Sequence, residues 1–173
     1  DVRDVVQQLY RDVPQPLVLD ADGLNAFVGN PTKLRQRIDD APRILTPHLG
    51  EFARLTDQST LKIQSDRADI AANFAETHQV ILLLKGNRTI VTDGRRLAIN
   101  PTGDSGLATA GSGDVLTGLI AALLAQSMPP FEAAQLGAYL HGLAGEIASA
   151  KYTERYTTSV EILQSLAEAW KQL

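Results

Sequence analysis

The residues best suited to chemistry lie in Ala110-Gly111-Ser112-Gly113-Asp114, a glycine-rich loop feeding an apolar run with Val115, Leu116, Leu119, Ile120, Leu123 and Leu124 at helical spacing. The loop is therefore expected at the N-terminus of a buried helix. There, exposed N–H groups and the helix dipole make an anion site, and glycine lets a phosphate approach the backbone. Gly111, Ser112 and Gly113 are the candidate anion hole. Asp114 adds a carboxylate that would repel transferring phosphate unless it serves as a general base or a metal contact. An acidic residue in a first turn also complements the dipole without further duty, and on the residues alone the two readings stand about even. Neither common nucleotide fingerprint fits. Leu116 takes the third glycine position of Gly-x-Gly-x-x-Gly, and no Gly-x-x-x-x-Gly-Lys-Ser/Thr occurs.

Three further polar clusters each follow an apolar, strand-like run. Asp20-Ala21-Asp22-Gly23-Leu24-Asn25 offers two carboxylates and an amide that could face a phosphate through magnesium, or else a helix cap from Asp20 or Asp22. Thr46-Pro47-His48-Leu49-Gly50-Glu51 presents His48 to a substrate, although a lone loop histidine is more often uninvolved. Lys85-Gly86-Asn87-Arg88-Thr89 brings two cations and backbone N–H groups to a nucleotide phosphate, or forms a solvated turn. Open α/β sheets bind ligands beyond the carboxyl ends of their strands, so all four clusters are expected at one sheet edge.

The elements that must position these clusters alternate. Val2, Val5, Val6 and Leu9 have helical spacing; strands are expected at residues 17–20, 43–46 and 80–84, with a helix over 65–77. The continuous apolar run at 80–84 suits a sheet covered on both faces, and the alternation suits parallel layering. Asp93-Gly94 between two short strand-like runs signals a tight hairpin. Helices follow at about 114–126, 131–150 and 159–173, the last behind a Thr158-x-x-Glu161 capping box.

With 173 residues, 44% hydrophobic and 21% charged, the chain suits one domain over residues 1–173. A net charge of -4 gives no basic footprint for nucleic acid. Without cysteine there is no disulfide framework, thiolate nucleophile or Cys-based zinc site. No apolar run reaches the roughly 20 residues needed to span a bilayer. No membrane partner is expected, and the expected location is cytoplasmic.

Taken together, residues 19–26, Leu45-Thr46-Pro47-His48-Leu49-Gly50-Glu51-Phe52, Leu84-Lys85-Gly86, Asn100-Pro101-Thr102-Gly103 through Gly118, and Tyr139-Leu140-His141-Gly142-Leu143-Ala144-Gly145 resemble the ADP- or ATP-dependent NAD(P)H-hydrate dehydratases of the ribokinase-like superfamily. The resemblance implies an α/β fold, a three-layer α/β/α arrangement with a mostly parallel sheet. It also implies a hydro-lyase that restores NADH or NADPH from the (S)-hydrate by phosphorylating the ring hydroxyl and eliminating phosphate. ADP or ATP is the implied donor, with Mg2+. Asp114 is the implied base, with His48, Asp114, Asp22 and Asn25 on the hydrate and Lys85, Gly86, Asn87, Arg88, Thr89 and Gly113 on the nucleotide. A homo-oligomer, and an epimerase acting on the same metabolite, are implied partners.

The chain departs from the family's usual pattern at Leu49, at Asp104-Ser105 and at Ala110, and Asp104 adds a negative charge near the phosphate loop in sequence. The family's N-terminal strands and a glycine-rich substrate loop are expected to precede Asp1, which makes the domain N-terminally incomplete. Two other readings remain open: a small-molecule kinase of the same superfamily acting on a vitamin precursor, and an inactive nucleotide-binding module. Pro47-His48-x-Gly50-Glu51 favours the dehydratase.

Overall fold

Burial on both faces is what gives the central strands their unbroken apolar runs. In a computed structural model, which describes residues 1–173 apart from Asp39, β2 (Arg43–Leu45) is buried at every position and β3 (Ile81–Leu84) at all but its first. They belong to a five-stranded sheet ordered β1 (Leu17–Leu19), β2, β3, β4 (Ile90–Thr92), β5 (Leu97–Ile99). β1 and β2 pair in parallel with Leu17 opposite Arg43, β2 and β3 pair in parallel, and β3 meets β4 antiparallel with Leu83 opposite Val91.

The chain divides into two compact units. The first, Asp1–Gly86 with Ile90–Ala98, adds α1 (Val2–Asp12), α2 (Ala21–Asn25), α3 (Leu49–Thr56), α4 (Thr60–Ser65) and α5 (Arg67–His78). Its core joins Tyr10, Phe27, Leu45, Phe52, Leu82 and Leu84. The helix expected over 65–77 starts at Arg67, because Asp66 (ψ 39°) breaks the chain between α4 and α5. In α1 the apolar stripe packs on the core only through Val6: Val2, Val5 and Leu9 are exposed, while Tyr10 is buried and its hydroxyl donates to the Leu34 carbonyl at 2.7 Å.

Arg43 is 1% exposed, a position at which its residue type alone would not be placed. Its guanidinium is satisfied by backbone, with no carboxylate partner among the described residues: it donates to the carbonyls of Tyr10, Val13, Gln15 and Pro42 and lies over the Tyr10 ring. Those bonds tie the end of α1 to the start of β2. The Asp93-Gly94 hairpin is as expected. Gly94 has φ +91° and sits so close to Glu76 of α5 that a Cβ would lie 2.5 Å from the Glu76 Cβ.

The second unit, Asn87–Thr89 with Ile99–Leu173, is helical: α6 (Ser112–Ala125), α7 (Pro130–Tyr152) and α8 (Ser159–Trp170). Leu140, Ala144, Ile162 and Ala169 form its centre, with Leu119 and Leu166 against them. Glycine makes the close crossing of α6 and α7 possible, since a Cβ on Gly137 would stand 2.6 Å from Ile120. The Thr158/Glu161 capping box starts α8 as its spacing predicts. No described helix is long and apolar enough to cross a membrane.

Candidate functional site

In the first unit the parallel register of β1, β2 and β3 puts their carboxyl ends side by side. Backbone bonds continue the alignment past the strands, with Thr46 N donating to Leu19 O at 3.1 Å and Lys85 N to Pro47 O at 2.8 Å. Three of the four clusters read from the sequence are thereby brought together. Lys85 Nζ donates to Asp20 Oδ1 at 2.8 Å and stands 4.0 Å from Glu51 Oε2, with all three side chains largely buried. Asp20 is the N-cap residue of α2, yet its carboxylate makes no capping bond and goes to the lysine instead. Ala21 turns through φ +47° as the chain passes from Asp20 into α2, a left-handed geometry that costs an alanine about 1 kcal/mol or more.

His48 heads α3 in a capping box of uncommon composition. Its Nδ1 accepts from the N–H groups of Gly50 and Glu51, and Glu51 Oε2 accepts from His48 N at 2.8 Å. Because Nδ1 is an acceptor, the neutral ring carries its hydrogen on Nε2, 3.4 Å from Glu51 Oε1. The side chain is 56% exposed. Asp22 and Asn25, expected on the same ligand, form their own pair: Asn25 Nδ2 donates to Asp22 Oδ1 at 3.0 Å, and Arg54 reaches Asn25 Oδ1. Arg67, which sequence reasoning passed over, donates to the Leu84 carbonyl and lies beside Gly86, where φ is +142°. Burial lowers its pKa from the ordinary arginine value.

The second unit holds the fourth cluster. Gly111 is the N-cap of α6 at φ +82°, a conformation that suits glycine, and a Cβ there would meet Ser159 Oγ at 2.8 Å. Ser112, Gly113 and Asp114 are the first three helical residues. Ser112 is buried, whereas Asp114 is exposed and, among the described residues, its carboxylate has neither a hydrogen bond nor an ion pair. The arrangement can bind an anion at the backbone and present an open carboxylate beside it. The loop approaching α6 is pinned to α7: Asn100 Nδ2 donates to the carbonyls of Thr102 and Ala138, and Thr102 Oγ1 to that of Tyr139. Asp104 acts locally. Its Oδ1 accepts from Gly106 N and Ser149 Oγ, so the charge added at this position caps a turn. Asn87, Arg88 and Thr89 also belong to this unit, with Thr89 O accepting from Asn100 N at 2.8 Å.

The NAD(P)H-hydrate dehydratase family matches residues 3–168. The chain belongs to that family. It is 47% identical over 98% of its length to the bifunctional NAD(P)H-hydrate repair enzyme of Moorella thermoacetica, of which it covers 32%. Among solved structures it is similar to the ADP/ATP-dependent NAD(P)H-hydrate dehydratase of Bacillus subtilis, co-crystallised with ATP and Mg2+ and soaked with CoA. The TM-score there is 0.87 and the identity 31%, over 99% of this chain and 61% of that one. A ribokinase-like superfamily protein of Enterococcus faecalis, 24% identical with TM-score 0.78, covers 98% of this chain and 58% of its own, and shows the same fold. The chain thus spans about a third of the Moorella relative and under two thirds of each of these structures.

Membership in the dehydratase family agrees with the ribokinase-like α/β architecture read from the sequence, with a mixed, mostly parallel sheet. Glu51, Arg67 and His141 are the residues near the candidate clusters that sequence reasoning left without a role. One signal was available: His48-x-x-Glu51 has capping-box spacing with a histidine where serine or threonine is usual.

Proposed function

We propose that the protein acts in ADP- or ATP-dependent dehydration of the (S)-hydrate of NADH or NADPH, restoring the reduced cofactor. The observation that carries this reading is Asp114: an exposed carboxylate without a partner among the described residues, in the first turn of a helix whose N-cap is glycine. Asp114 takes the proton of the ring hydroxyl, and the oxygen attacks the terminal phosphorus of the nucleotide. A P–O bond forms, the bond to the departing AMP or ADP breaks, and the amides of Gly111 and Gly113 stabilise the transferred charge, the Ser112 N–H being donated to the Thr109 carbonyl. The C–O bond of the phosphate ester then breaks, driven by the ring nitrogen's electron pair. Loss of the proton on the neighbouring carbon restores the ring double bond and releases inorganic phosphate. Hydroxide is a poor leaving group and phosphate a good one, which is why a donor is consumed.

In this reading His48, Asp22, Asn25 and Asp114 face the hydrate, and Lys85, Gly86, Asn87, Arg88, Thr89 and Gly113 the nucleotide. An ammonium has three donors, so the pair with Asp20 leaves Lys85 others for a phosphate. Mg2+ would neutralise charge on the donor. The described residues contain no group of three His, Cys, Asp or Glu suited to a metal, and Asp20 is committed to Lys85, so phosphate oxygens and water would supply most of the coordination. We place the reaction in the cytoplasm, in a homo-oligomer, alongside an epimerase of the same metabolite; the word "bifunctional" in the name of the Moorella relative supports the last point.

The test is to incubate the protein with hydrated NADH, Mg2+ and ADP or ATP, and to follow the reduced-nicotinamide absorbance. The absorbance is expected to return with at least one nucleotide. No return with either overturns the reading; a stable phosphorylated alcohol in place of NADH would mark a kinase, and nucleotide binding without turnover an idle module.

A further inference from the structure

A buried histidine in a helix built largely of alanine, glycine and leucine needs a reason. His141 of α7 is 7% exposed, and its Nε2 lies 3.0 Å from the carbonyl oxygen of Ser112 and 3.1 Å from Ser112 Oγ. A carbonyl only accepts, so Nε2 carries the hydrogen, and that single N–H is shared between the main chain and the side chain of one residue. Ser112 is the first residue of α6, one step after Gly111 and two before Asp114.

The way α6 begins makes this grip consequential. Helices α1, α3 and α8 each begin with a capping box, in which a side chain occupies the first free N–H groups. The N-cap of α6 is glycine and has no side chain to do so. A cap there would cover the N–H groups an anion needs, so this helix start has to be held by something that leaves them open. His141 holds the Ser112 carbonyl and hydroxyl, and the Ser112 N–H donates to the Thr109 carbonyl at 3.3 Å, so neither contact covers the N–H groups of Gly113 and Asp114.

We infer that His141 is a positioning residue. By gripping Ser112 it sets the rotation and height of the first turn of α6, and with it the anion hole and the Asp114 carboxylate. The inference rests on the proposed role of Asp114 and on geometry within the second unit. Misplacing a reacting group by about 1 Å costs on the order of a hundredfold in rate, whereas ground-state nucleotide binding is less sensitive. The effect is therefore expected in kcat.

Three variants of the intact protein test it. His141→Phe fills the space and removes the N–H. Its kcat for NADH recovery should fall roughly ten- to a hundredfold, with the nucleotide KM within about threefold of wild type. His141→Gln restores a donor and should regain most of the lost kcat; Ser112→Ala removes one of the two acceptors and should fall between. Thermal melts of each variant establish that the folded population is being compared. Equal kcat for His141→Phe and wild type overturns the inference, as does a glutamine variant no better than phenylalanine. If His141→Phe does not fold, Ser112→Ala decides: reduced kcat at unchanged melting supports the inference, and unchanged kcat overturns it.

If the wild-type protein returns no NADH, the reaction itself is misassigned, and amide hydrogen exchange still decides the point. Gly113 and Asp114 amides that exchange faster in His141→Phe and slow again in His141→Gln support the inference. Identical exchange in all three overturns it.

Discussion

At the scale of single residues, the contrast between Asp114 and Asp20 is the most informative. Both are carboxylates at the start of a helix, where the dipole alone would favour them. Asp20, largely covered, pairs with Lys85 at 2.8 Å, so its charge is committed within the protein. Asp114 is exposed and, among the described residues, has no partner. A carboxylate held ready for a ligand should matter to rate and little to folding. Asp114→Asn is accordingly expected to lower kcat by roughly 10²- to 10⁴-fold, with nucleotide affinity within about threefold of wild type by calorimetry. Turnover at the wild-type rate would remove Asp114 from the role of base.

At the scale of elements, glycine decides where helices and loops meet. A Cβ on Gly142 of α7 would stand 2.2 Å from Thr102 Oγ1 and 2.7 Å from the Thr102 carbonyl carbon, so Gly142→Ala must push the loop that leads to α6. Such overpacking is expected to destabilise by about 1–3 kcal/mol in denaturant unfolding. Gly118, exposed in the middle of α6 with nothing near its Cβ position, is the internal comparison. Gly118→Ala should stabilise by about 0.5–1 kcal/mol, because alanine loses less backbone entropy in a helix. Equal effects at the two positions would contradict the close approach seen at Gly142.

At the scale of the whole molecule, buried polar groups set the pH response. His78, packed on Phe74, has a pKa lowered from 6.5, first by burial and second by the charge of Arg35, and its Nδ1 is buried with no hydrogen-bond partner among the described residues. The folded protein therefore favours the neutral ring, while the unfolded chain takes up a proton near pH 6.5. This contribution to stability is fully present above that value and is lost as the pH falls from it toward the lower, folded-state pKa. His78→Phe should therefore gain stability relative to wild type as the pH is lowered from 7 to 5 in urea unfolding. A difference between the two that does not change with pH would rule out His78 as the source.

What is legible along the chain is what neighbouring residues decide among themselves. The Asp93-Gly94 turn, the Thr158/Glu161 box, the buried strand at Ile81–Leu84 and the glycine-led start of α6 all depend on residues within a few positions of one another. Periodicity and turn chemistry suffice for such features, and motif resemblance was enough to name the family. The partners of charged and polar groups are a different matter. Lys85 meets Asp20 across 65 residues, Arg43 reaches the Tyr10 carbonyl across 33, and His141 reaches Ser112 across 29. Each of these bonds depends on distances of about 3 Å that only packing sets, and hydrogen bonding fades over a fraction of an ångström. The loop at Gly111 to Asp114 was thus readable as a phosphate site. That its carboxylate stands open while its serine is gripped from behind was decided by the way α7 packs on α6.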